Sequence, residues 1–159
     1  MNSPLAIYTL VHVLISLAGI ASGLVVLGGL LKGQRLESWT RVFLVTTVAT
    51  SVTGYGFPFE HLLPSHIVGA ISLVVLAVAI YARYARRLAG VWRVIYVVTA
   101  VLALYLNVFV LVVQLFLKVA ALHALAPTQS EPPFGIAQLT VLVLFLALGT
   151  LAARRSKAL

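Results

Sequence analysis

Five apolar stretches, at 5–31, 40–58, 66–84, 92–124 and 135–153, take up nearly the whole of this 159-residue chain. A helix crosses a bilayer with about 20 apolar residues, and every stretch is near that length or beyond it. The composition agrees: 62% hydrophobic residues and a mean hydropathy of +1.13. Only 9% of residues are charged, against about 25% in soluble proteins. The expected fold is all-α, an integral membrane bundle of five transmembrane helices. The breaks between stretches are too short for an extramembrane domain, so residues 1–159 read as one transmembrane domain. The first stretch lacks a basic leading segment and exceeds the 7–15 apolar residues of a signal peptide, so a retained span is expected.

Charge orients the bundle. Ten of the eleven Lys and Arg residues fall in three segments, Lys32 to Arg41, Arg83 to Arg93 and Arg154 to Lys157. Basic loops stay on the cytoplasmic side, which predicts an N-terminus outside and a cytoplasmic C-terminus. Trp39, Tyr81, Tyr84 and Trp92 would mark the inner boundary, with Tyr8, Phe57, Phe59 and Phe134 at the outer one. The net charge of +8 flanks apolar runs and forms no continuous stripe, so it reads as a topology signal that also touches anionic lipid. The lipid bilayer is the expected partner, and nucleic acid is not.

Residue types remove several chemistries. With no cysteine, disulfides, thiolate metal sites and thiol redox steps are out. There is no aspartate, no triad, no phosphate-binding glycine loop and no pair of carboxylates inside a span, which weakens a proton-coupled transporter.

What could carry chemistry lies on the outer side. His12, Ser16, Gly19 and Gly23 recur at helical spacing and share one face of segment 1. Small residues there admit a neighbouring helix, and His12 is either a buried histidine bonded to the chain or a ligand. Asn107, Gln114 and Lys118 form a second stripe on segment 4. Lys118, alone among the basic residues on the outer half, either snorkels or pairs inward with Glu60 or Glu131. His123 points some 160° from Asn107 on the same helix. The loop PFEHLLPSH adds Glu60, His61 and His66, with Ser65 as a candidate N-cap that would set His66 at a helix N-terminus and keep it neutral. This histidine cluster suggests a metal set of His12, His61, His66 and Glu60 for a divalent metal. Haem b held by His12 with His66 or His123 is the other cofactor reading, although His12 lies deeper than His66.

The remaining polar segments read as structure. In APTQSEPPF, Glu131 sits among prolines that stiffen the loop as a lid or end two helices. Thr46, Thr50 and Thr53 share a face of segment 2 and should bond backbone carbonyls. Segment 4, about 50 Å long as one helix, exceeds the roughly 30 Å hydrocarbon core and must tilt, kink or protrude.

The stretch Phe57 to Phe134, with FPFEHLLPSH, YLNVFVLVVQLFLKV (Tyr105 to Val119) and APTQSEPPF, resembles a group of small bacterial inner-membrane proteins that share an APTQSEPPF-type outer loop. The resemblance implies a bacterial inner membrane and carries no activity with it. Where that group often has a proline, this chain has Ala120, so it lacks that helix breaker near the outer end of segment 4.

These readings lead to an expected outward-facing polar cavity between segments 1, 3 and 4. Its ligand-binding residues would be His12, His66, Asn107, Gln114, Lys118 and Glu131, and it would take a metal ion, haem or a small amphipathic ligand. The alternative is an accessory subunit or assembly factor of a larger membrane complex, or a homo-oligomer, docked through its small-residue faces. A small transporter is third.

Overall fold

A computed structural model of the chain describes residues 3–58 and 64–159. The described residues form six α-helices and no strand: α1 (Pro4–Leu31), α2 (Glu37–Gly54), α3 (Pro64–Ile80), α4 (Trp92–Lys118), α5 (Ala120–Leu125) and α6 (Pro132–Arg155). Residues Tyr81–Ala85 extend α3 as a π-helical turn, and Ser156–Ala158 close the chain in a 3₁₀ turn. Four segments are long and apolar enough to cross a membrane: Pro4–Leu31, Pro64–Ala85, Trp92–Lys118 and Pro132–Ala158. The protein is an all-helical, multi-pass membrane protein.

Local chemistry sets the ends. The Ser3 hydroxyl accepts the Ala6 N–H at 3.2 Å, with Pro4 in the first turn of α1, where a missing N–H costs nothing. The chain reverses after α1 through Gly33 at φ +69°, a conformation glycine adopts freely. Pro132 and Pro133 open α6 in the same way as Pro4 opens α1.

α2 runs back along α1. At one end the Tyr8 hydroxyl donates to the Thr53 carbonyl at 2.6 Å; at the other, Gly29 lies against Leu36. Between them the small-residue face of α1 does what its spacing predicts. Side chains of Asn107, Thr46 and Thr47 close over Gly19, and Leu104 and Phe43 close over Gly23. Three threonines of α2 turn back on their own helix, Thr46 to Val42 O, Thr50 to Thr46 O and Thr53 to Ala49 O, while the buried Thr47 hydroxyl has no hydrogen-bond partner among the described residues. Ser51 reaches Ser72 of α3 at 3.1 Å. α3 and α6 pack on α4, so α4 is the central helix of the bundle.

Packing is uneven along the bundle. Val26, Leu27, Leu30, Phe43, Leu76, Tyr96, Val97 and Leu104 are buried at the basic end, while the first half of α1 and most of α6 expose apolar side chains. Such surfaces suit lipid, which is as apolar as leucine.

Two sequence expectations change. Segment 4 is not one helix over 92–124: α4 stops at Lys118, Val119 is extended (φ −90°, ψ 114°), and α5 starts again at Ala120. At 27 residues α4 is already about 40 Å long, enough to clear the hydrocarbon core. The break therefore needs no proline at 120. Ser65 is not the cap of α3 either, since the helix already includes Pro64, leaving His66 in the first turn.

Candidate functional site

The two histidines expected to share a cavity both pack at the end of α2. His12 Nδ1 lies 2.7 Å from the Thr53 hydroxyl, and its ring stands edge-on to Phe57 at 5.0 Å. His66 is buried against the Tyr55 ring at 5.6 Å, and its carbonyl accepts the Tyr55 hydroxyl at 2.6 Å. His12 thus packs on Thr53 and Phe57, and His66 on Tyr55, all at the end of α2. Glu60 and His61, the other two members of the expected metal set, lie outside the described residues. Among the described residues no three His, Asp or Glu side chains come together. His123, in α5, is exposed.

The stripe on α4 also divides. Asn107 turns toward Gly19 and Thr47, and its Nδ2 is buried with no hydrogen-bond partner among the described residues. Gln114 and Lys118 are exposed. The expected pair of Lys118 with Glu131 does not form. The Glu131 carboxylate instead accepts the Thr128 hydroxyl at 2.9 Å and the N–H groups of Thr128 and Ser130 at 3.3 and 3.1 Å. Desolvation, the largest single effect, raises the Glu131 pKa, but the hydrogen bonds together outweigh it and hold the carboxyl below its ordinary range. Lys118 ends α4, where the helix dipole and the water boundary both favour an amine. The APTQSEPPF loop is a fastened connector, with Gln129 donating to Val113 O at 2.9 Å.

A pocket lined by charged side chains is at the opposite, basic end. There the three basic segments converge, held by arginines on main-chain oxygens: Arg35 to Leu159, Arg93 to Lys157, Arg155 to Leu31 and Arg83 to Arg35. Between the α1–α2 turn and the π-helical turn lies a pocket of about 320 Å³, lined by Arg35, Glu37, Arg83, Tyr84, Arg87 and Leu88. Arg83 is 5% exposed. Its guanidinium lies 5.0 Å from the centre of the Tyr96 ring, and Nη2 meets the Glu37 carboxylate at 2.9 Å. Nε, Nη1 and the buried Tyr96 hydroxyl have no hydrogen-bond partner among the described residues. A guanidinium offers five N–H donors in a planar fork, and Glu37 and the Arg35 carbonyl both take Nη2, which leaves the donors of Nε and Nη1 unused.

The N-terminus of α2 faces the same pocket through Arg35 and Glu37. Leu36 precedes the helix at φ +41°, and no side chain caps the first turn. Free N–H groups and the helix dipole make such an end attractive to anions. Backbone strain gathers here too: Leu36, Arg87 and Leu88 are three of the four non-glycine residues with positive φ among the described residues. Such conformations cost about 1–3 kcal/mol and persist where the surroundings enforce them. The π turn carrying Arg83 is of a kind that often marks functional sites.

Reading the basic segments as topology signals hid this pocket. Two signals pointed to it: Arg83 falls inside the expected span 66–84, where a charge needs a partner, and Glu37 is the one acid among the basic segments. No family model, no curated protein and no solved structure matches this chain.

Proposed function

We propose that this chain is a five-span protein of the bacterial inner membrane, N-terminus outside, that binds an oxyanion in the pocket at its cytoplasmic end. The fifth crossing would be α2. It is too polar to rank with the four apolar spans, but its 18 residues give about 27 Å of helix lying antiparallel to α1, with the hydroxyls of Thr46, Thr50 and Thr53 bonded to its own carbonyls. An odd number of crossings then sets the histidine end opposite the basic end. Lys and Arg at one end of the bundle, with Tyr8, Phe57 and Phe134 at the other, support cytoplasmic basic loops.

The observation that carries the binding reading is the buried Arg83 guanidinium with two unpartnered nitrogens. It sits in a pocket that also holds Arg35, Arg87 and an uncapped helix N-terminus. The Glu37 carboxylate on Nη2 stands where a phosphate or carboxylate oxygen of a ligand would bind. His12 and His66, by contrast, fasten the end of α2.

Thermal unfolding in neutral detergent tests the binding. Phosphate should raise the midpoint above that in chloride at matched ionic strength, and Arg83→Lys, which keeps charge but loses the fork, should abolish the difference. Equal midpoints in the two salts would remove the reading. The topology has its own test, since the chain has no native cysteine. An impermeant thiol reagent added to intact cells should label Ser130→Cys and not Ser38→Cys, and the reverse pattern would invert the assignment.

A further inference from the structure

A soluble anion and a lipid headgroup carry the same phosphate chemistry, but they differ in what surrounds the phosphate. Here the surroundings belong to the interface. Tyr84 is a wall of the pocket and is still 45% exposed. Trp39 and Tyr81, on the two helices whose ends form the pocket, are also exposed, and Tyr81 stands edge-on to Trp92 at 5.2 Å with Arg86 over the indole. Exposed Trp and Tyr settle at headgroup depth, which sets the pocket at that depth as well. Further along the bundle, α2 exposes Val42 and Val45, and α3 exposes Val74 and Val78. These are surfaces that an acyl chain attached to a phosphate in the pocket would meet. A free phosphate needs neither the aromatic rim nor the apolar flank.

Resting on the anion-binding reading above, we infer that the ligand is the phosphodiester headgroup of an anionic phospholipid in the adjoining leaflet. Its two non-bridging oxygens match the parallel N–H donors of a guanidinium. Arg83 supplies the buried, preset donor; Arg35 and Arg87 close on the headgroup from the two turns. Basic pockets between membrane helices on the cytoplasmic side are of the type that holds such headgroups. The uncapped end of α2 is not the basis of this assignment by itself. The independent observation is Arg83, which lines the pocket, is more than nine-tenths buried, holds Glu37 through Nη2, and has Nε and Nη1 buried with no hydrogen-bond partner among the described residues.

The test uses the full chain in neutral detergent, titrated with mixed micelles of phosphatidylglycerol or phosphatidylcholine, and separately with inorganic phosphate. Phosphatidylglycerol should raise the unfolding midpoint and phosphatidylcholine should not. The apparent affinity for phosphatidylglycerol should fall about tenfold in Arg87→Gln, the loss of one charge-assisted hydrogen bond. Arg87 is exposed, so the variant is expected to fold. Arg154→Gln, with the same charge change outside the pocket, should leave the affinity unchanged. Equal losses in Arg87→Gln and Arg154→Gln would reduce the effect to general surface charge and overturn the assignment. Stabilisation by inorganic phosphate, with no preference between the two lipids, would leave the anion pocket standing and remove the lipid. If neither phosphate nor phosphatidylglycerol stabilises the protein, both readings fall.

Discussion

Arg83 and Glu37 meet at 2.9 Å with opposite exposures, the guanidinium side chain at 3% and the carboxylate side chain at 55%. The asymmetry makes the two halves of the pair unequal. Removing a partner from a fully buried pair costs about 3–5 kcal/mol; water around the exposed carboxylate screens this pair to about 1 kcal/mol. Glu37→Gln should therefore lower the unfolding free energy in detergent by that smaller amount, and added phosphate should restore more of it than in the wild type. A variant as stable as the wild type and indifferent to phosphate would show that Glu37 does not occupy an anion position.

The close approach of α1 to α2 and α4 gives a second prediction. A Cβ on Gly23 would meet Leu104 and come within 3.0 Å of the Phe43 ring, whereas one on Gly28 meets nothing within 4 Å. Gly23→Val should cost about 1–3 kcal/mol by overpacking. Gly28→Ala in the same helix should be neutral or gain up to about 1 kcal/mol. Thermal unfolding of the two variants side by side decides it, and a stable Gly23→Val would place α1 elsewhere.

The His12 to Thr53 bond predicts a coupling. In a double-mutant cycle of His12→Phe and Thr53→Val, the interaction free energy should be about 0.6 kcal/mol, the average for hydrogen bonds between membrane helices. Additive effects accompanied by loss of a bound metal or chromophore from His12→Phe would return the histidine to a ligand role.

Glu131 gives a pH dependence with a definite sign. Because the folded pKa is lowered, the clasp on Thr128 and Ser130 contributes fully above the ordinary glutamate range near pH ~4.3. It is lost as pH falls through the lower, folded value. Exchange protection of the Thr128 and Ser130 amides should fade in that acidic window, and in Glu131→Gln it should show no such step. Protection that persists in acid in the wild type would count against the clasp.

Periodicity and charge made most of the fold legible. The stripe His12, Ser16, Gly19, Gly23 named the face that α2 and α4 cover, and the threonines of segment 2 bond their own helix as β-branched hydroxyls do. Clustering of Lys and Arg foretold one basic end of the bundle. The break at Val119 was hidden because it is extended chain between two apolar helices, with no proline or glycine to mark it. Spacing along single helices could not show that His12 packs on Thr53 and His66 on Tyr55. Nor could it show that the Glu131 carboxylate is already satisfied by its own loop. The pocket depends on three segments distant in sequence, so only Arg83 inside a span and the lone Glu37 hinted at it.

A ligand-resolving density map of the protein in phosphatidylglycerol-containing nanodiscs tests the central claim most directly, because it surveys both ends of the bundle at once. The predicted result is density for a phosphate within hydrogen-bond distance of Arg83, with Glu37 moved off Nη2 and His12 still on Thr53. An empty pocket with Glu37 in place, together with ligand density on His12 or His66, would contradict the account.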